Sequence, residues 1–147
     1  MTTNAGRPTA ILADDHPAVH PLLCQILTPE FDVVESVFDG LSLVEATSRL
    51  KPDLIVVYVL MPVLNGIEAV KRIKALASPV AVVFITTDGA RETMQRALDT
   101  GARGFVRKAS AAEDLLPAAR AAMKGQRFVS AEPFCAGIPM KAGGSIA

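Results

Sequence analysis

Pro52-Asp53-Leu54-Ile55-Val56-Val57-Tyr58-Val59-Leu60-Met61-Pro62-Val63-Leu64-Asn65-Gly66 is the stretch that decides the fold. Its first half is a near-continuous run of apolar, mostly β-branched residues. Such a run suits a strand covered on both faces, because a strand with one wet face would alternate. Its second half is shaped by Pro62 and Gly66, and a helical spacing follows at Ile67, Val70, Ile73 and Ala77. Working outward, similar short runs occur at 9–13, 33–38, 54–59, 80–85 and 104–107. Helical patterns lie between and after them. Val19, Leu22, Leu23, Ile26 and Leu27 form one face, and Leu43, Thr47 and Leu50 a second. Met94, Ala97 and Leu98 mark a fourth helix, and Leu115, Ala119 and Ala122 a fifth. Strands alternating with helices through short connections predict a doubly wound parallel sheet with helices on both faces, a three-layer α/β domain.

Local signals place several boundaries. Gly101 reads as the left-handed residue that ends the fourth helix. Ser110, followed by Glu113, reads as a capping box opening the fifth. Pro21 removes an amide donor and crowds the preceding turn, so the first helix should start late, near His20. From about Val129 the pattern stops, and Glu132, Pro133, Gly137, Pro139, Gly143 and Gly144 punctuate a segment without a period. Residues 8–128 are therefore expected to form the domain and 129–147 a partly disordered tail or linker.

Composition excludes several classes. Half the residues are hydrophobic and the formal charge is zero, so no electrostatic footprint for nucleic acid exists. Cys24 and Cys135 are isolated and lack metal-ligand spacing; Cys24 falls in a helical apolar pattern and is expected to be a reduced core residue. The opening Met1 to Pro8 has one arginine and no apolar core, unlike a signal peptide. Leu54 to Leu64 is too short to span a bilayer. A cytoplasmic protein without membrane contact is the expectation.

In doubly wound sheets, ligands bind beyond the carboxyl ends of the strands where the strand order reverses. Asp14 and Asp15 follow the first run, Tyr58 ends the third, Thr86 the fourth and Lys108 the fifth. Taken singly, each has a plain reading: a solvated acidic turn, a strand-end threonine, a surface lysine. Taken together, residues some ninety positions apart converge on one crevice.

This constellation, with the Met61-Pro62…Asn65-Gly66 loop, resembles the receiver domain of two-component response regulators over roughly residues 8–128. Asp14-Asp15-His16-Pro17 and Phe128-Val129-Ser130 look most like receivers that precede a helix-turn-helix output domain. The resemblance implies a flavodoxin-like (βα)5 sheet of order 2-1-3-4-5. It implies that Asp14 and Asp15, with the Leu60 carbonyl, correspond to the Mg²⁺ site. Thr86 and Lys108 match the groups that engage the phosphoryl group, and Phe105 matches the aromatic switch. At the phosphoacceptor position, where the family has aspartate, this chain has Tyr58. Pro21 and the lack of a helix-turn-helix pattern after residue 130 are further departures.

A phenol with pKa near 10 cannot form the acyl phosphate that a carboxylate forms. It also removes one anionic ligand, so Mg²⁺ is expected to bind weakly at most and no other cofactor is expected. The half-buried hydroxyl should find a polar partner, with Asp14, Asp15 and Lys108 the candidates. Phosphorylation of the tyrosine itself is disfavoured, because nothing resembles a kinase site and a strand-end ring is enclosed. The sequence thus points to a pseudo-receiver acting through protein contact with a histidine kinase, an output domain or another regulator, or as a homodimer. Two alternatives stand beside it: the regulatory part of a helix-turn-helix transcription regulator, and a conventional receiver carrying an Asp-to-Tyr substitution. An enzyme is disfavoured. Asp14-Asp15-His16-Pro17 puts acid where a flavin phosphate would sit, and no Asp-x-Asp of a dehalogenase-type phosphatase occurs after the first strand.

Overall fold

The computed structural model describes residues 6–87 and 90–130. Strands β1 (Thr9–Ala13), β2 (Asp32–Val37), β3 (Leu54–Tyr58), β4 (Ala81–Thr86) and β5 (Gly104–Arg107) alternate with helices α1 (Val19–Leu27), α2 (Gly40–Leu50), α3 (Gly66–Ala75), α4 (Arg91–Leu98) and α5 (Ala111–Met123). A two-residue strand, β6 (Phe128–Val129), follows. All neighbours pair in parallel, in the order β2-β1-β3-β4-β5-β6. The expected doubly wound sheet of order 2-1-3-4-5 is present, with one short strand added at its edge.

The continuous apolar runs occupy the middle of the sheet. Every residue of β3 is buried, as are the last five of β4. Ile11, Leu12, Ile55, Phe84, Ile85 and Leu115 are among the largest side chains removed entirely from water. Two polar side chains start the helices beside the site. Asp39 Oδ1 accepts from the Ser42 amide at 2.7 Å to cap α2, and Asn65 Oδ1 accepts from the Glu68 amide at 2.9 Å to cap α3. Gly66 lets α3 begin against the end of β3. A Cβ there would lie 2.3 Å from the Tyr58 carbonyl oxygen, so no side chain fits.

Several local readings hold and others change. Gly101 is left-handed, at φ +96°. Helix α1 starts at Val19, which puts Pro21 in the first turn, where an amide would have no intrahelical partner. The Pro17 carbonyl instead accepts from the His20 amide at 3.2 Å. The Ser110–Glu113 capping box does not form. Residues Lys108–Ser110 make a 3₁₀ turn, and with φ −106° and ψ 10° Ser110 lacks the extended backbone that swings a hydroxyl over the first turn. Pro117 also stands inside α5.

The boundary at 128 also moves. Val129 pairs with Phe105, and Ser130 is buried. The Ser130 hydroxyl donates to Asp114 Oδ2 at 2.8 Å and accepts from the Arg107 amide at 3.0 Å. A two-residue strand is too short to show a period, which is why it read as tail. The rest of that segment, 131–147 with Cys135, lies outside the described residues. Cys24 is a free thiol at the rim of the core rather than inside it.

Candidate functional site

Parallel strands bring their carboxyl ends to one edge, and there Asp14, Asp15, Tyr58, Thr86 and Lys108 meet. Asp14 directly follows β1 and has no exposed surface. Its Oδ1 accepts from the His16 amide at 2.9 Å and lies 2.9 Å from His16 Nδ1. Its Oδ2 faces Lys108 Nζ at 2.8 Å, an ion pair bent away from the line of a directional hydrogen bond. His16 Nδ1 is also 3.2 Å from Asp15 Oδ1 and 3.3 Å from Lys108 Nζ. One nitrogen cannot donate to carboxylates and accept from an ammonium at once. Two flanking carboxylates favour the proton on Nδ1, which makes the Lys108 approach a through-space contact. From α1, buried His20 places Nε2 2.6 Å from the Asp14 carbonyl oxygen.

Tyr58 fills the centre of this group and is 5% exposed. Its hydroxyl lies 3.2 Å from Thr87 Oγ1. Lys108 Nζ sits 3.8 Å above the ring centroid, a cation–π contact, and the His16 ring stands 5.6 Å away at a tilt of 59°. The hydroxyl therefore does find a polar partner, but it is none of the three candidates. The ring thus points its para position toward the loop after β4. The Thr86-Thr87 doublet is the sequence signal for this partner. Lys108 meets the face of the ring, and His16 joins the group through the turn made by its own amide.

The remaining expected residues are placed by their strands. Thr86 ends β4 and Phe105 lies within β5; both are fully buried. Leu60 follows β3 with its side chain 56% exposed. Beside Thr86 a small cavity of about 80 Å³ opens between Leu60, Asn65, Thr93 and Arg96.

Asp14, Asp15 and His16 bring ligand atoms within 4.8 Å of one another. Magnesium prefers oxygen donors in octahedral geometry. Here one Asp14 oxygen is engaged by His16, the other faces an ammonium, and the Tyr58 hydroxyl is turned to Thr87. As they stand, these donors do not fit a magnesium ion: Lys108 already supplies the positive charge that the buried carboxylate needs.

The fold and the edge site together match a known family. A family model described as the response regulator receiver domain matches residues 10–120. The chain belongs to the response regulator receiver domain family. This receiver is 33% identical over 98 residues to the chemotaxis protein CheY of Halobacterium salinarum, covering 67% of this chain and 82% of that protein. It is 30% identical over 130 residues to the nitrate/nitrite response regulator protein NarL of Escherichia coli, covering 87% of this chain and 60% of that protein. It therefore spans about three fifths of NarL. Among solved structures, a two-component response regulator of the LuxR family from Aurantimonas superposes with a TM-score of 0.79 at 26% identity, over 84% of this chain and 89% of that one. No helix among the described residues is long and apolar enough to cross a membrane.

Proposed function

We propose that this receiver is a signalling switch that does not take a phosphoryl group at the usual position and works through protein–protein contact. The observation that carries this is Tyr58: a buried phenol at the phosphoacceptor position, hydrogen-bonded to Thr87 and covered by Lys108. A neutral phenol cannot form the mixed anhydride that an aspartate forms. The same contacts supply a resting state. Lys108 is engaged with Asp14 and the ring, and Thr87 ties the loop after β4 to the end of β3. A ligand shifts two conformations only by its differential affinity for them. Without a phosphoryl group that bias must come from a protein partner in the cytoplasm, such as a histidine kinase, an output domain or another regulator. Asp14, Asp15 and the Leu60 carbonyl then form a vestigial Mg²⁺ site, and Thr86 and Phe105 a switch pathway without its usual input.

A second reading is favoured by NarL. The chain spans about 60% of that regulator, which suits the regulatory part of a helix-turn-helix transcription regulator. DNA contact would then belong to another segment, and the two readings are compatible.

Incubation with acetyl phosphate, and separately with beryllofluoride, in the presence of Mg²⁺ tests the central claim. Intact-mass spectrometry and NMR should show neither a covalent adduct nor shifts at Thr86 and Lys108. A hydroxylamine-labile phosphoryl adduct on the wild-type chain would overturn it.

A further inference from the structure

At the edge of the sheet opposite Tyr58, a cavity of about 740 Å³ opens beneath the amino ends of β3, β4 and β5. We propose that this cavity binds a small organic phosphate, an apolar body carrying a phosphate monoester. The inference stands apart from the pseudo-receiver reading, because no residue of the acidic site takes part.

Charge is the first support. Lys51, Lys74 and Arg103 line the cavity against one carboxylate, Asp53. Asp53 Oδ2 is already engaged by the Thr9 amide at 2.8 Å and hydroxyl at 3.4 Å. Among the described residues, none of the three cations has a carboxylate partner. Lys74 Nζ donates to the Val80 carbonyl at 2.7 Å, and Lys51 Nζ lies 3.4 Å from the Ser48 carbonyl oxygen. Three cations against one anion leave an excess of two, the charge of a phosphate monoester dianion.

Burial is the second. Thr47 is 3% exposed and lines the cavity, and its hydroxyl has no hydrogen-bond partner. A buried hydroxyl left unmatched is costly, and a ligand that turns the Thr47 side chain toward the cavity would match it. Burial first, and then the nearby Arg103 guanidinium, hold the Lys74 ammonium below its ordinary pKa. Lys74 and Arg103 thus line one cavity within reach of each other's charge.

Shape is the third. Leu76 and Met123, both exposed, line the cavity and supply apolar wall. A volume of several hundred Å³ with apolar walls and a few convergent polar groups describes a small-molecule site. Arg103 offers a planar fork suited to two phosphate oxygens, and the lysines offer point charges beside it.

Phenyl phosphate, inorganic phosphate and phenol are the probes. Titrated into ¹⁵N-labelled protein, phenyl phosphate should shift the amides of Thr47, Lys51 and Arg103 saturably. Inorganic phosphate should bind more weakly and phenol should not bind. Arg103→Gln, at an exposed position, should lower phenyl phosphate affinity about tenfold, the scale of losing charge-assisted hydrogen bonds. Lys74→Met should do the same, and an unchanged melting temperature in either variant confirms that the fold is intact. Unchanged affinity in Arg103→Gln would overturn the proposal. So would shifts centred on Asp14 and Lys108, or inorganic phosphate binding as tightly as phenyl phosphate.

Discussion

Tyr58→Asp returns a carboxylate to the end of β3 and probes the site at its centre. Tyr58 is almost fully buried, and replacing a buried aromatic ring by a small side chain costs about 3–5 kcal/mol. The low end applies, because the hydroxyl reaches toward the exposed Thr87 and water can follow the new carboxylate. That carboxylate joins Asp14 and Asp15. At roughly 6 Å and an effective dielectric near 20, each like-charge contact adds ~3 kcal/mol before relaxation. Lys108 lies between the ring and Asp14; once the ring is gone it can turn to the new charge and offset one of these contacts. The metal-free variant should therefore lose up to about 6 kcal/mol, a large part of what a domain of this size has. Three carboxylates also rebuild a site for Mg²⁺, and magnesium at ten times its Kd stabilises the folded form by ~1.4 kcal/mol. Urea denaturation of both proteins, with and without Mg²⁺, reads these quantities directly. The variant should unfold at lower urea, recover partly with Mg²⁺, and accept a phosphoryl group from acetyl phosphate; wild type should do none of these. A metal-free variant as stable as wild type, or equal Mg²⁺ stabilisation of both, would refute the reasoning.

Tyr58→Phe removes only the hydroxyl, so it should cost about 0.5–1 kcal/mol, while NMR should show displaced Thr86, Thr87 and Phe105 signals. Unmoved signals would make the Thr87 bond incidental. Lys108→Met strips the ammonium from a fully buried Asp14 and should destabilise by about 3 kcal/mol, with Asp14→Asn in the same chain restoring much of the loss; chemical denaturation measures both. At the surface, the hydrogen bond from Arg120 holds the Glu30 carboxyl below its ordinary value of 4.5. A depressed folded pKa contributes stability that is present above the unfolded value and lost as pH falls through the folded one. Glu30→Gln should therefore flatten the stability–pH curve below about pH 4.5 and leave its slope near neutrality unchanged, which melting curves across that range would check.

The order of elements was legible because burial on two faces leaves a local mark: from Leu54 to Tyr58 every side chain is apolar or aromatic, and the run is short and bounded by a loop shaped by Pro62 and Gly66, which suits a central strand. Parallel pairing then places Asp14, Tyr58, Thr86 and Lys108 at one edge, so the meeting of these four also followed from sequence, while the contacts of His16 and Thr87 did not. What sequence could not supply was the direction of each side chain within that edge. Tyr58 turns its hydroxyl to Thr87 and its face to Lys108, and Lys108 spans from that ring to Asp14; these contacts join residues up to 94 positions apart and depend on rotamers chosen by packing. The same holds for β6 and Ser130, whose pairing partners lie on β5 and α5. Ser110 looked like a cap on spacing alone, yet the 3₁₀ turn set by Lys108–Ser110 took away the backbone geometry a cap needs. The cavity lined by Lys51, Lys74 and Arg103 likewise draws its three cations from separate elements, and no window of sequence could have placed them together. Local periodicity encodes which face of an element is buried; only the closed packing of the whole chain decides which polar atom each buried group meets.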